Sequence, residues 1–104
     1  MAELEPEHGT EDTTRVHVKL FAPFRYQVGM GDCSMRFTQP SVTVGELLIA
    51  LHKRWPRFVI ADERTLSQES LSGILVIVNG KPRNGVFDLR DGDEVSILSP
   101  VSGG

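Results

Sequence analysis

The stretch from Ser41 to Trp55 repeats its apolar residues with the period of a helix, and the apolar segments around it are of strand type. Val44, Leu47, Leu48, Leu51 and Trp55 fall at i, i+3, i+4, i+7 and i+11, which lines them along one face. Thr43-Val44-Gly45-Glu46 has the spacing of a capping box: the Thr hydroxyl accepts a backbone N–H, and the Glu carboxylate reaches back to the cap. His52, Lys53 and Arg54 occupy the last turn, where positive charge is favoured by the helix dipole. Pro56 then stops the helix. The Leu stripe is too short for a coiled-coil seam, so it must be buried against other elements of the same chain.

Those elements are strands. Arg15 to Leu20 alternates polar and apolar, so Val16, Val18 and Leu20 face a core and His17 falls on the polar side. Phe21 to Val28 is ambiguous: Pro23 cannot sit in a central strand, and could open a short helical turn. Gly29 to Asp32 reads as a loop, and Cys33 to Thr38 as a second alternating strand in a hairpin with the first. Residues 57–73 read as irregular, with Phe58, Val59, Ile60, Leu66 and Leu71 pinning them to the body. Ile74 to Val78 is a continuous apolar strand, expected to be buried on both faces. Asn79-Gly80 is a strong turn signal, extended by Lys81 to Gly85, with Val86-Phe87 a short apolar stretch beyond it. Asp91-Gly92 makes another turn, and Glu94 to Leu98 is the final strand. The order is β-β-α-β-(short β)-β. With first and last strands parallel at the centre of a small mixed sheet and one main helix across it, this is an α+β, β-grasp (ubiquitin-like) arrangement.

Composition removes several classes of function. At 104 residues the chain suits one domain. Its longest apolar run is of strand length, far below the ~18 residues that cross a membrane. No basic, apolar leader precedes the body, so a cytoplasmic location is expected. Cys33 is the one cysteine, and no intramolecular disulfide is open to it. It reads as a half-buried strand residue, with Arg36 the one nearby cation that would lower its pKa. His8, His17 and His52 have no ligand spacing, so no metal site is expected. Residues 1–14 are acidic and poor in apolar groups, a composition expected of a disordered tail. Residues 15–98 then form the folded domain. No basic stripe interleaved with aromatics supports a nucleic-acid partner.

The end of the chain is the segment with chemistry. Ser99-Pro100-Val101-Ser102-Gly103-Gly104 follows the last strand at once. Pro100 cannot donate to a ladder and fixes its φ, so the strand should end there and a flexible tail of residues 99–104 leave in one direction. Extended, these residues reach roughly 20 Å at ~3.3 Å each. Gly103 and Gly104 carry no side chain, so the end can thread a narrow channel, and the Gly104 carboxylate is unshielded. No Ser/His/Asp, Cys/His or metal constellation accompanies it, so the domain has no catalytic site of its own.

Three segments resemble the MoaD/ThiS family of ubiquitin-like sulfur carriers, the MoaD branch most closely. They are Leu20-Phe21-Ala22-Pro23-Phe24-Arg25 after the first strand, Thr43-Val44-Gly45-Glu46-Leu47 at the helix start, and Leu89 to Val95 running into Pro100-Val101-Ser102-Gly103-Gly104. ThiS-type carriers share Gly-Gly but usually lack the Pro-Val segment before it. The resemblance implies that an adenylyltransferase of the ubiquitin-activating type (MoeB/ThiF-like) uses ATP to convert the Gly104 carboxylate to an acyl-adenylate. A sulfur donor such as a cysteine desulfurase or rhodanese then leaves a thiocarboxylate. The tail delivers this sulfur in the large subunit of molybdopterin synthase (MoaE-like), building the molybdenum cofactor. The carrier itself holds no permanent cofactor. By position Phe21, Arg25 and Leu98 match residues that face the large subunit or the activating enzyme. Phe21 and Leu98 read equally as core or edge residues, and Arg25 as a solvated charge. Leu98-Ser99 departs from the aromatic or Pro-Pro pair common in the family.

The activated acyl group is also open to a lysine amine, which would make the chain a protein modifier through an isopeptide bond at Gly104. Other readings are a sulfur carrier for thiamine or cysteine synthesis, and a β-grasp interaction module with a passive tail.

Overall fold

The computed structural model describes residues 13–58 and 73–99. Thr14–Leu20 forms β1, Phe24–Val28 a short helix α1, and Asp32–Phe37 β2. Val42–Thr43 forms β3, Val44–Arg54 the main helix α2, and Leu75–Val78 β4. Lys81–Arg83 forms β5, Asp88–Leu89 β6, and Glu94–Leu98 β7. Five strands make one sheet in the order β2-β1-β7-β4-β5, and β3 pairs with β6 beside it. The pair β1 and β7 is parallel, Val18 against Val95 and Leu20 against Ile97, while β2, β4 and β5 are antiparallel to their neighbours. First and last strands therefore share the centre, as the β-grasp arrangement requires.

The helix forms where its capping signal places it. Thr43 is the N-cap: its hydroxyl accepts the Glu46 N–H at 3.1 Å, and the Glu46 carboxylate accepts the Thr43 N–H at 2.9 Å. Two further N–H groups of the first turn, on Val44 and Gly45, donate to the carbonyls of Phe87 and Gly85 at 2.9 Å each. That loop therefore satisfies donors a helix start leaves unpaired. At the other end Trp55, held extended ahead of Pro56, is the C-cap. Val44, Leu47, Leu48 and Leu51 are wholly buried against Val16, Val18, Val76, Val95 and Ile97. Trp55 is only half-buried, its ring covered by the Arg54 guanidinium at 4.7 Å.

Several sequence expectations change. Thr13 and Thr14 are buried, and the Thr14 hydroxyl donates to the Gln39 carbonyl at 2.6 Å, so the folded body reaches into the segment expected to be a tail. Residues 1–12 lie outside the described residues, as do Val59, Ile60, Leu66 and Leu71; Phe58 is fully buried. The ambiguous stretch is helix α1, capped by Pro23 and ended by Gly29 at φ 95°. Its Phe24 ring packs on Phe58 with centroids 5.5 Å apart.

Strand β4 is covered on one face rather than two. Val76 and Val78 are buried, whereas Leu75 and Ile77 are half-buried on the sheet face turned away from α2. Asn79-Gly80 is a two-residue hairpin turn with both φ values positive, 50° and 90°. The expected long turn after it is instead edge strand β5. A two-residue turn makes Val78–Lys81 a hydrogen-bonded pair, so Pro82 opposite Ile77 stands where no ladder bond is needed. The short strand expected at Val86-Phe87 lies two residues later, at Asp88–Leu89, and Val86 is exposed.

Candidate functional site

Parallel pairing of β1 and β7 puts their C-terminal ends at one end of the sheet, so Phe21 and Leu98 lie together there. The Phe21 N–H donates to the Ile97 carbonyl at 3.1 Å, one step beyond the Leu20–Ile97 pair. Leu98 stands opposite Leu75 of β4, and β7 ends at Leu98. Phe21 is 44% exposed and Leu98 half-buried. Neither belongs to the buried core, so the core reading falls for both and they stand at the edge of the sheet's apolar interior.

Arg25 is tied to the same corner, since its N–H donates to the Phe21 carbonyl at 3.1 Å. Its guanidinium lies over Gly31, whose missing Cβ would meet it at 3.0 Å. Arg25 is exposed, so it is a positioned surface cation. Leu75 and Ile77 extend the apolar ground on the open face, a role hidden when Ile74 to Val78 is read as buried throughout. Tyr26, 74% exposed on α1, is a third residue that no sequence pattern singles out. Only Pro23's position hinted that α1 would form there.

The opposite end of β7 is fixed by a network of short polar side chains. Asp91 accepts the Arg15 N–H at 2.8 Å, and Gly92 donates to the Arg15 carbonyl at 2.8 Å. Asp93 accepts from the Arg90 N–H at 2.8 Å and from the Asn79 amide at 2.9 Å. Asn79 in turn accepts the Glu94 N–H through its side chain at 2.9 Å. These bonds set where β7 starts against β1 and β4, and thus where it finishes beside Phe21. Lys19 and Glu94 pair across the open face at 3.1 Å, a solvated bridge of little energetic weight.

Pro100, Val101, Ser102, Gly103 and Gly104 lie outside the described residues. Among the described residues no group of His, Cys, Asp and Glu is arranged to hold a metal ion. No helix there is long and apolar enough to cross a membrane. Cys33 is half-buried, and burial foremost, then the Asp32 carboxylate, pushes its thiol pKa above the ordinary value. The cation that opposes this is Arg54 of α2, not Arg36, because Arg36 stands on the other face of β2. Cys33 is thus a packing residue without the environment of a nucleophile.

Comparison with known proteins agrees with this geometry. Among curated proteins none matches the chain. Among solved structures, SAMP1 from Haloferax volcanii is 29% identical, covering 86% of this chain and 99% of its own, with a TM-score of 0.69. A putative molybdopterin converting factor, subunit 1, from Pyrococcus furiosus is 27% identical over 85% of this chain and 99% of its own, TM-score 0.67. The small archaeal modifier protein 1 from Methanosarcina acetivorans is 29% identical over 88% of this chain and 98% of its own, TM-score 0.62. The profile of the ThiS family matches residues 18–104, which takes in the end of β1 and every strand and helix after it together with the Gly-Gly end. On that match, and on a sheet built around its first and last strands, the chain belongs to the ThiS family of ubiquitin-like β-grasp sulfur carriers.

Proposed function

We propose that this protein carries sulfur on Gly104 for molybdopterin synthesis, as the small subunit of a molybdopterin synthase. A carboxylate oxygen is a poor leaving group. An activating enzyme therefore joins it to the α-phosphate of ATP, releasing pyrophosphate and forming an acyl-adenylate. A sulfur nucleophile attacks the acyl carbon, AMP leaves, and a thiocarboxylate remains. The carrier supplies a presented end and a docking surface, and the acid–base chemistry belongs to its partners. The observation that carries the reading is the placement of Phe21, Leu98 and Arg25 at the sheet end from which the chain continues to Gly104. An apolar patch beside a cation there gives a partner's entrance a surface to grip while the end threads inward.

Intact mass after co-expression with an adenylyltransferase and a sulfur donor is the test. The expected result is a gain equal to one oxygen replaced by one sulfur, located on the C-terminal peptide and absent after deletion of Gly104. An unchanged mass would overturn the reading. The likeness to small archaeal modifier proteins favours one second reading, a protein modifier. There the acyl-adenylate is taken by a lysine amine instead, and larger lysine-linked conjugates appear in place of the mass gain.

A further inference from the structure

Strand β2 is an edge: among the described residues its far side pairs with nothing. Which of its backbone groups face outward follows from the ladder. The Leu20 N–H donates to the Gly31 carbonyl at 2.8 Å, one step beyond the Lys19–Asp32 pair. Antiparallel ladders alternate, so Cys33, Met35 and Phe37 spend their backbone bonds on β1. Asp32, Ser34 and Arg36 point theirs away from the sheet. Their side chains share one face too. Cys33 and Met35 oppose buried Val18 and Val16 on the α2 side, which leaves Asp32, Ser34 and Arg36 exposed on the open face.

This edge is complementary to itself. Asp32 and Arg36 stand two residues either side of Ser34. We infer that β2 pairs antiparallel with β2 of a second copy of this chain, about a two-fold axis at Ser34, joining two five-stranded sheets into one. In that register each Asp32 faces the other copy's Arg36 on the same face, and Ser34 faces its own equivalent. Each of these pairs exchanges both outward backbone hydrogen bonds, so no ladder bond is left idle.

Charge inside one copy points the same way. Lys19 lies opposite Asp32 and is engaged by Glu94, whereas Arg36 lies opposite Arg15, a like charge. Among the described residues Arg36 has no ion-pair partner, and the second copy brings a carboxylate to its vacant side. Registers that set Asp32 against Asp32, or Arg36 against Arg36, are repulsive, which selects the one centred on Ser34. Edge charges commonly block pairing, and a single sign would do so here; opposite signs placed symmetrically do the reverse. One short strand pair buries little surface, so the dimer is weak and grows in between roughly 10 µM and 1 mM protein. The Phe21–Leu98 corner lies at the ends of β1 and β7, and the free edge of β2 faces away from both strands, so pairing leaves both corners open.

Sedimentation equilibrium of the full chain at low and high salt tests the inference. The parent is expected to dimerise reversibly, less so at high salt. Asp32→Arg alone, or Arg36→Asp alone, weakens the dimer by roughly ten-fold, and the double exchange restores it. Ser34→Pro abolishes it while the thermal unfolding midpoint stays near that of the parent, because the lost N–H points away from β1. A protein monomeric up to about 1 mM would overturn the inference. So would a dimer indifferent to both single reversals, or an edge that pairs only with a strand of another protein.

Discussion

Cys33 shows how little a residue's identity says until its surroundings are known. Burial and the neighbouring Asp32 disfavour its thiolate, with Arg54 opposing them, so alkylation by iodoacetamide should shift to higher pH than for an unstructured thiol. Stability follows with a definite sign. Below the ordinary thiol pKa both states are protonated and nothing is lost. As pH rises through that value towards the raised native one, the unfolded chain ionises first and the folded state weakens. Urea titrations across that range should show the decline, and Cys33→Ala should flatten it. The half-buried strand position was readable from the alternation of Cys33 to Thr38. The cation was not, because sequence nearness favours Arg36 while the pleat sends Arg36 to the opposite face. Asn79 is a similar case. Its turn was legible from Asn-Gly, but its two side-chain bonds, to Asp93 and Glu94, join residues far apart in the chain.

Elements with a local cause were legible, and those that exist only through a partner were not. Helix α2 carries its own period and cap, so its start is written in four residues. Thr43→Ala removes the hydroxyl that accepts the Glu46 N–H and should cost about 1 kcal/mol in urea unfolding. Leu51→Ala empties a fully buried site and should cost about 2–5 kcal/mol. A cap worth as much as the core leucine would mean that the helix is held mainly by its own end. Strands β3 and β6, two residues each, carry no such signal; each is a strand because the other pairs with it, Val42 with Leu89. Strand β5 was masked by Pro82, which reads as a turn residue until the hairpin register shows that its nitrogen faces outward. Strand β4 looked buried on both sides because its residues are all apolar, yet the sheet has α2 on only one face.

At the scale of the whole molecule, the open sheet face and the tail form one device in the proposed function. Phe21→Ser and Leu98→Ser both alter residues outside the buried core, so each should leave unfolding free energy within about 1 kcal/mol of the parent. Each should nonetheless lower the rate of sulfur transfer to the large subunit, measured in single turnover with pre-formed thiocarboxylate. Transfer unchanged in both variants would move the docking surface elsewhere. Strand β7 is bonded along both edges, to β1 on one side and β4 on the other. A pull along its axis from the C-terminal end therefore loads both rows of hydrogen bonds in shear, all together, instead of peeling them open one at a time. An enzyme that grips the last residues and turns over can tug on the carrier without unravelling it.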